Sequence, residues 1–561
     1  MKKQISESRS HKRRHQLRGR QVDAAALAEI EALIGTGKRE KSLLIEYLHL
    51  IQDRYHFISA AHLVALASAL KLSPVEVYEV ASFYHHFDVI KEGENPPPEL
   101  TIRVCQSISC QMAGAQDLIA QLQQHFGDKV RVQSVPCVGR CANAPVAVIG
   151  QNPLHDASLL RVAQAVENNE ITAPMPANTT GFEQYRLQGG YDLWRQCLQG
   201  KHTHETIVQI IEDSGLRGMG GAGFPAARKW RILREQPAPR LLAVNIDEGE
   251  PGTFKDRYFL EQDPHRMIEG ALLAAWVIDA AAIYFYIRDE YAALRKVLQQ
   301  ALQTVRSEWG DQLPQCHLRR GAGAYICGEE SAMIESIEGK RGMPRQRPPY
   351  LAQVGLFGRP TLQHNMETLF HLREIIEKGA QWYRQQGRNG RSGLRAYSVS
   401  GRVNNLGVHI APAGISLREL IDEYCGGMCD GHQLYGYFPG GTSGGMLPAS
   451  LDQVPLDFDT LQEYGCFIGS AAIIVFSQQD SARELALNSM RFFAAESCGQ
   501  CTPCRVGTVK AVELMQQPNW DIPLLTELSQ VMADASICGL GQAAPNPLLC
   551  AIKYFPQEFE S

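Results

Sequence analysis

Apolar residues recur at three- and four-residue steps in DAAALAEIEALI, KSLLIEYLHLIQDRY, SAAHLVALASAL and SPVEVYEVASFYHHF, and runs open on turns or capping residues such as Ser59 and Ser73. That period gives each helix one apolar stripe, so residues 21–92 are expected to form a small helical bundle. After KEGENPPP the pattern becomes strand ELTIRVC, helix AGAQDLIAQLQQHFG, strand VRVQSVPC and strand APVAVIG, an α/β unit over 98–167. NNEITAPMPANTTG, residues 168–181, carries neither period and reads as a linker. From 182 to 393 helical runs alternate with apolar strands such as LLAVNI and AIYFYI, as in an α/β domain. Short strands and Gly-rich turns predict a compact β-rich module over 394–478, and 479–561 is helical in pattern. The longest apolar stretch, ALLAAWVIDAAAIYFYI, is interrupted by Asp279 and is short for a spanning helix; it reads as a core helix running into a buried strand, with no membrane association expected.

Composition narrows the class. A chain of 561 residues is too long for one ordinary core, and its net charge of -5 points to no nucleic-acid partner. The exception is local: residues 1–20 carry eight Lys/Arg against one Glu without an apolar core, which reads as a solvated basic tail and not a signal peptide. The 15 cysteines are odd in number and grouped, which excludes a disulfide scaffold and suggests thiolates kept for metals in a reducing, cytoplasmic setting.

Two cysteine groups stand out. Cys105 and Cys110 form a C-x4-C pair and Cys137 and Cys141 a C-x3-C pair, both beside strands of the α/β unit. Four thiolates of this kind suit a two-iron cluster, each iron taking two protein sulfurs, with structural zinc as the competing reading. ESCGQCTPCR places Cys498, Cys501 and Cys504 at C-x2-C-x2-C spacing, which wraps three corners of a cubane 4Fe-4S cluster. Cys538 in ASICGLGQ, followed by a Gly-rich turn, is the candidate fourth ligand. Cys197, Cys316, Cys327, Cys425, Cys429, Cys466 and Cys550 are scattered and read as buried small apolar residues.

The central domain carries the other polar chemistry. GLRGMGGAGFPAARKW contains Gly218, Gly220 and Gly223 in a G-x-G-x-x-G, yet the preceding HETIVQIIEDSG is helical, whereas a Rossmann loop follows a strand. Such glycines still let backbone N–H groups approach a phosphate or a flat ring, with Lys229 as a cation. LLAVNI then delivers Asp247, Glu248 and Glu250 at a strand end, suited to a divalent metal or to a ligand rich in hydroxyls. GAGAYICGEE sets Glu329 and Glu330 at a helix start, followed by the basic Arg341, Arg345 and Arg347.

Together GLRGMGGAGFP, NIDEGEPGTFKDR, GAGAYICGEE, HNMETL and ESCGQCTPCRVGT resemble the FMN- and NAD-binding flavoprotein subunit of respiratory complex I and its soluble relatives. Residues 20–165 resemble the small thioredoxin-like 2Fe-2S subunit of the same enzymes, fused in front. The resemblance implies a multidomain α/β chain: a helical bundle and thioredoxin-like 2Fe-2S domain, an FMN/NAD-binding α/β domain, a small β-rich ubiquitin-like module and a C-terminal helical 4Fe-4S domain. LIEYLHLIQDRYHFISAAHL, FGRPTLQHNMETL, APAGISLRELIDEYCGGMCDGH and ICGLGQAAPNP look most like the beta subunit of soluble NAD-dependent formate dehydrogenases containing molybdenum or tungsten.

Carried over residue by residue, the family contacts to FMN fall on Gly218, Gly220, Gly221, Lys229, Asn245, Asp247, Glu248, Tyr325, Glu329, His364 and Asn365. Those to NAD fall on Phe224, Glu250, Glu330, Arg347 and Tyr350. Met219 stands where many relatives have Arg, His364 where many have Asn, and Arg347 with Tyr350 where many have Lys and Phe. No acid–base residue is required for the chemistry, because hydride transfer belongs to the flavin. The implied function is a diaphorase: electrons from a large formate-oxidising partner would reach NAD through the 4Fe-4S cluster and FMN, with the 2Fe-2S cluster to one side. Diaphorase of an NAD-linked hydrogenase, a complex I fusion and a non-catalytic zinc or cluster scaffold are the alternatives.

Overall fold

The computed structural model describes residues 20–37 and 39–559, so the basic tail, apart from Arg20, lies outside the described residues. The N-terminal unit is the expected bundle, with helices Ala24–Ile34, Leu44–Tyr55, Ala60–Leu70 and Pro74–Ala81. Asp23, Ser59 and Ser73 each accept a backbone N–H of the first turn, the local reason these helices begin where they do. A short parallel pairing of Ile58–Ser59 with Val89–Ile90, too brief for any period to reveal, closes the unit.

The next unit orders its strands Arg131–Val135, Thr101–Cys105, Ala147–Ile149 and Asn152–Leu154, the first pair parallel and the rest antiparallel. Helix Ala115–Phe126 lays Leu118, Ile119 and Leu122 on that sheet. The central domain is a parallel sheet in the order Thr361–Asn365, Arg240–Ile246, Ala280–Ile287, Gln315–Arg320. Its two inner strands are apolar along nearly their whole length because helices cover both faces. Asp279, the interruption in the long apolar stretch, stands in the turn between helix Pro264–Val277 and strand Ala280–Ile287, where its φ is +52°.

The β-rich module is a five-stranded mixed sheet ordered Gly407–Pro412, Leu394–Gly401, Ala472–Ser477, Leu434–Phe438, Leu447–Pro448. Five helices follow, from Ala482–Glu496 to Asn546–Tyr554. Ion pairs and hydrogen bonds weld the units: Arg131 meets Asp88 at 2.7 Å, Arg320 meets Asp53 at 2.5 Å, and Asn488 on the first C-terminal helix donates to the Gln106 carbonyl at 2.8 Å. No helix among the described residues is long and apolar enough to cross a membrane.

Candidate functional site

The four cysteines of the N-terminal α/β unit converge. All are buried, between 1% and 3% exposed, and Cys137 and Cys141 stand with their sulfurs 3.3 Å apart. Cys105 hydrogen-bonds toward Cys110 and Cys137, and together with burial these neighbours push its thiol well above the usual range. Phe254 of the central domain packs on Cys137 and Cys141, so this site faces the next domain and not solvent.

The second cysteine site forms where the first C-terminal helix ends at Glu496. Cys501 is the residue before helix Thr502–Met515, and Cys538 precedes the short helix Gly539–Ala543. A Cβ on Gly541 would stand 2.9 Å from that of Cys504, so glycine there lets the distant turn close on the C-x2-C-x2-C run. Burial lifts the Cys504 thiol to about 11 and the Cys538 thiol to about 12, with the neighbouring Cys498 adding to both. Held this way these two thiols are protonated, and a metal charge is what converts such a set to thiolate ligands.

Between the two cysteine sites lies the Gly-rich and acidic cleft, at the carboxyl ends of the parallel strands, where open α/β sheets place their ligands. Gly220 packs so that a Cβ would come 3.1 Å from the Asn365 Cβ, and Gly221 has φ +118° against Gly469 of the β-rich module. The Lys229 ammonium donates to the Gln363 carbonyl at 2.9 Å and pairs with Glu330 at 3.3 Å. Asn245 donates to the Gly328 carbonyl at 2.9 Å and accepts from the Asp247 N–H at 2.9 Å, joining two of the glycine-bearing segments. Asp247 Oδ2 is buried with no partner, and burial raises the carboxyl to about 8. A buried acceptor of this kind is costly unless something donates to it.

Glu250, 8% exposed, accepts from the Tyr325 hydroxyl and from the Ser443 N–H at 2.7 Å, and burial raises it to about 7. Glu329 caps helix Glu330–Ile337, accepting from the N–H groups of Ser331 and Ala332 at 2.9 Å each, while its other oxygen and Glu330 pair with Arg347. Phe224 and Tyr350 project to solvent at the rim, 41% and 58% exposed.

Two of the expected FMN contacts are engaged within the chain itself. The Glu248 carboxylate accepts from the N–H groups of Asp256 at 2.8 Å and Arg257 at 3.2 Å and from the Tyr291 hydroxyl at 2.8 Å. Through these bonds it satisfies two first-turn N–H groups of helix Lys255–Gln262 from outside the helix. His364 is 3% exposed, its Nε2 accepts the Trp230 indole N–H at 2.7 Å, and burial together with Lys229 lowers its pKa to about 3, so it is a neutral interior acceptor that braces a helix.

Sequence reasoning missed three participants. Ser443, in the Gly-rich FPGGTSGGM of the β-rich module, reaches Glu250; the glycine run was the available signal. Glu496 accepts the Tyr325 N–H at 2.8 Å, tying the cleft to the run that starts at Cys498. Lys255, 1% exposed, pairs with Asp256 at 2.7 Å and Glu367 at 2.9 Å and donates to Asn365 at 3.2 Å. His49, His86 and Asp289 also gather ligand atoms within 4.8 Å, but Arg320 at 2.5 Å and Arg295 at 3.4 Å already neutralise Asp289.

Comparison with known proteins agrees with this geometry. Residues 30–170 match the thioredoxin-like 2Fe-2S ferredoxin family, residues 211–374 the Nuo51 FMN-binding domain, and residues 484–561 the NADH-ubiquinone oxidoreductase-F iron-sulfur binding region. The chain is 40% identical over 390 residues to an NADH-quinone oxidoreductase subunit of Rhizobium meliloti (strain 1021), covering 67% of this chain and 92% of that protein. It is 41% identical over 374 residues to the mitochondrial NADH dehydrogenase (ubiquinone) flavoprotein 1 of Dictyostelium discoideum, covering 63% and 78%. A solved chain of an NAD+-reducing NiFe-hydrogenase in the H2-reduced state superposes with a TM-score of 0.82 at 32% identity, over 93% of this chain and 94% of that one.

The chain belongs to the family of NADH-dehydrogenase flavoprotein subunits typified by these NADH-quinone and NADH-ubiquinone oxidoreductase proteins, here with a thioredoxin-like 2Fe-2S unit in front. It is an NAD-dependent flavin and iron–sulfur oxidoreductase subunit, with FMN, a 2Fe-2S cluster and a 4Fe-4S cluster as its cofactors. The residues present fit these groups: two sets of gathered thiols for iron, a glycine cradle that a Cβ would obstruct, and the orphaned Asp247 oxygen for a hydroxyl-rich chain.

The Asp247 carboxyl yields a pH prediction. Its folded pKa is raised, so between the usual carboxylate range and about 8 the folded state binds the extra proton, and stability falls as pH rises through that window. The flavin-free protein should therefore lose melting temperature between pH 5.5 and 8, and Asp247→Asn should lose less. An equal loss in both proteins would show that another group governs this range.

Proposed function

We propose that the chain is the NAD-facing, electron-transfer subunit of a cytoplasmic formate dehydrogenase, paired with a large molybdenum- or tungsten-containing subunit that oxidises formate. The observation that carries the finer assignment is the set of segments LIEYLHLIQDRYHFISAAHL, FGRPTLQHNMETL, APAGISLRELIDEYCGGMCDGH and ICGLGQAAPNP, which resemble those enzymes and span the bundle, the central sheet, the β-rich module and the C-terminal helices.

In this reading Cys105, Cys110, Cys137 and Cys141 hold the 2Fe-2S cluster, and Cys498, Cys501, Cys504 and Cys538 the 4Fe-4S cluster. The domain divisions are those of the sequence, with the FMN/NAD-binding unit at 182–393. Gly218, Gly220, Gly221 and Lys229 hold the phosphate end of FMN, and Asn245, Asp247, Tyr325, Glu329 and Asn365 its polar edges. Bound FMN exchanges a hydride with NAD and single electrons with iron–sulfur clusters, which is why these cofactors occur together. Glu250 and Glu330, with Arg347, present charge to the nicotinamide nucleotide, and the exposed rings of Phe224 and Tyr350 offer flat surfaces to its bases. The Tyr325 hydroxyl and Ser443 N–H fix the Glu250 carboxyl in one orientation, so it reads the nucleotide without having to reorganise.

Glu250→Gln should accordingly raise KM for NAD severalfold while flavin content stays near that of the parent; FMN loss with an unchanged KM would reverse the assignment. A second reading is the diaphorase of an NAD-linked hydrogenase, favoured by the superposition on the NAD+-reducing hydrogenase chain. The complex purified with its native large subunit decides: formate-dependent NAD reduction is expected, and NAD reduction by H2 without formate activity would select the other partner.

A further inference from the structure

Arg288 is the first residue after strand Ala280–Ile287, in the sequence YIRDEY, and it is 4% exposed. Its guanidinium divides between two main-chain carbonyls. One Nη donates to the oxygen of Glu248 at the acidic strand end, and the other donates to the oxygen of Cys137 at 2.6 Å. The remaining Nε donates to Glu290 at 3.0 Å, and the group lies over the Tyr291 ring at 5.2 Å. Tyr291 in turn bonds Glu248, and its ring leaves no space for a Cβ at Gly139, two residues beyond Cys137.

A buried cation is thus built into the joint between the first cysteine site and the cleft. Its partial counter-ion, Glu290, is 28% exposed and screened by solvent, whereas the cysteines are almost fully buried.

We propose that Arg288 is a positioning residue that locks the Cys137 loop to the flavin-side strand end and, through its permanent charge, raises the reduction potential of the 2Fe-2S cluster. Reduction adds one negative charge to a cluster already held by four thiolates. In a buried, low-dielectric site a fixed cation stabilises that added charge, so the reduced form is favoured. Arginine suits the place because its planar fork serves two carbonyls at once and does not deprotonate. The inference rests on the assignment of Cys105, Cys110, Cys137 and Cys141 to that cluster.

The test is an EPR-monitored potentiometric titration of the complete chain. The two-iron signal in the unmutated protein examines the cluster assignment on its own; its absence would overturn that assignment and the inference with it. Given that signal, Arg288→Gln should lower the midpoint of the 2Fe-2S cluster, Arg288→Lys should lower it less because the charge is kept, and the 4Fe-4S midpoint should not move. Glu290→Gln removes the counter-ion's charge, leaves an amide oxygen to accept from the Arg288 Nε and spares the two carbonyl contacts; it should shift the 2Fe-2S midpoint upward, which keeps the inference testable if Arg288→Gln fails to load its cluster. An unchanged 2Fe-2S midpoint in cluster-replete Arg288→Gln, or a downward shift in Glu290→Gln, would overturn it.

Discussion

Serine in place of Cys504 or Cys538 should abolish the four-iron EPR signal, whereas Cys550→Ala should leave it intact. A hydroxyl binds iron far more weakly than a thiolate, whereas Cys550 stands apart from this group, its sulfur 3.6 Å from that of Cys466 beneath the β-rich module. Cys538 is the more telling position because it comes from a turn distant in sequence, brought in by the close packing of Gly541 on Cys504. Iron content should fall by the four atoms of one cubane, with the two-iron signal retained. Equal loss of the signal in all three variants would mean that the ligands have been misassigned and that the region is merely fragile.

The second large effect is expected at Lys255. Its ammonium is almost fully buried between Asp256 and Glu367, and the latter, despite burial, is held down to about 2 by that charge. Lys255→Met would strand two buried carboxylates, a change that costs about 3–5 kcal/mol when one partner of a buried pair is removed. Because Asn365 shares the network and lines the cleft, the loss should appear both as a lower urea midpoint and as lost flavin. Adding Asp256→Asn and Glu367→Gln to Lys255→Met should recover part of the midpoint, since neutral isosteres leave no unpaired charge. A Lys255→Met protein with parental stability and flavin content would refute this account of the network.

Much of this arrangement was legible along the chain because it depends on local periods and spacings. The apolar steps of DAAALAEIEALI and the strand LLAVNI each meet their expected element, and Glu329 stands at the helix start its sequence suggested. The cysteine groups were legible as local spacings, and the fold gathers the four of the first unit, with the Cys137 and Cys141 sulfurs 3.3 Å apart. What escaped depends on contacts between distant segments. Cys466 and Cys550 read as scattered but meet through packing of the last long helix, and Cys316 and Cys429 are only partly buried. His364 sits in a strand-end motif beside Asn365, yet strand alternation turns adjacent side chains to opposite faces and sends its ring to Trp230. Ser443 lies 193 residues from Glu250, and no periodicity reports such a pairing.

The most direct test of the central claim uses the isolated chain, prepared anaerobically and reconstituted with FMN and iron–sulfur clusters. It should oxidise NADH with ferricyanide or a viologen dye as acceptor and leave formate untouched, with formate oxidation appearing only when the large partner is added. Absence of NADH-to-dye activity at full FMN occupancy would contradict the nucleotide site built on Phe224, Glu250 and Glu330, and formate turnover by the chain alone would contradict the division of labour.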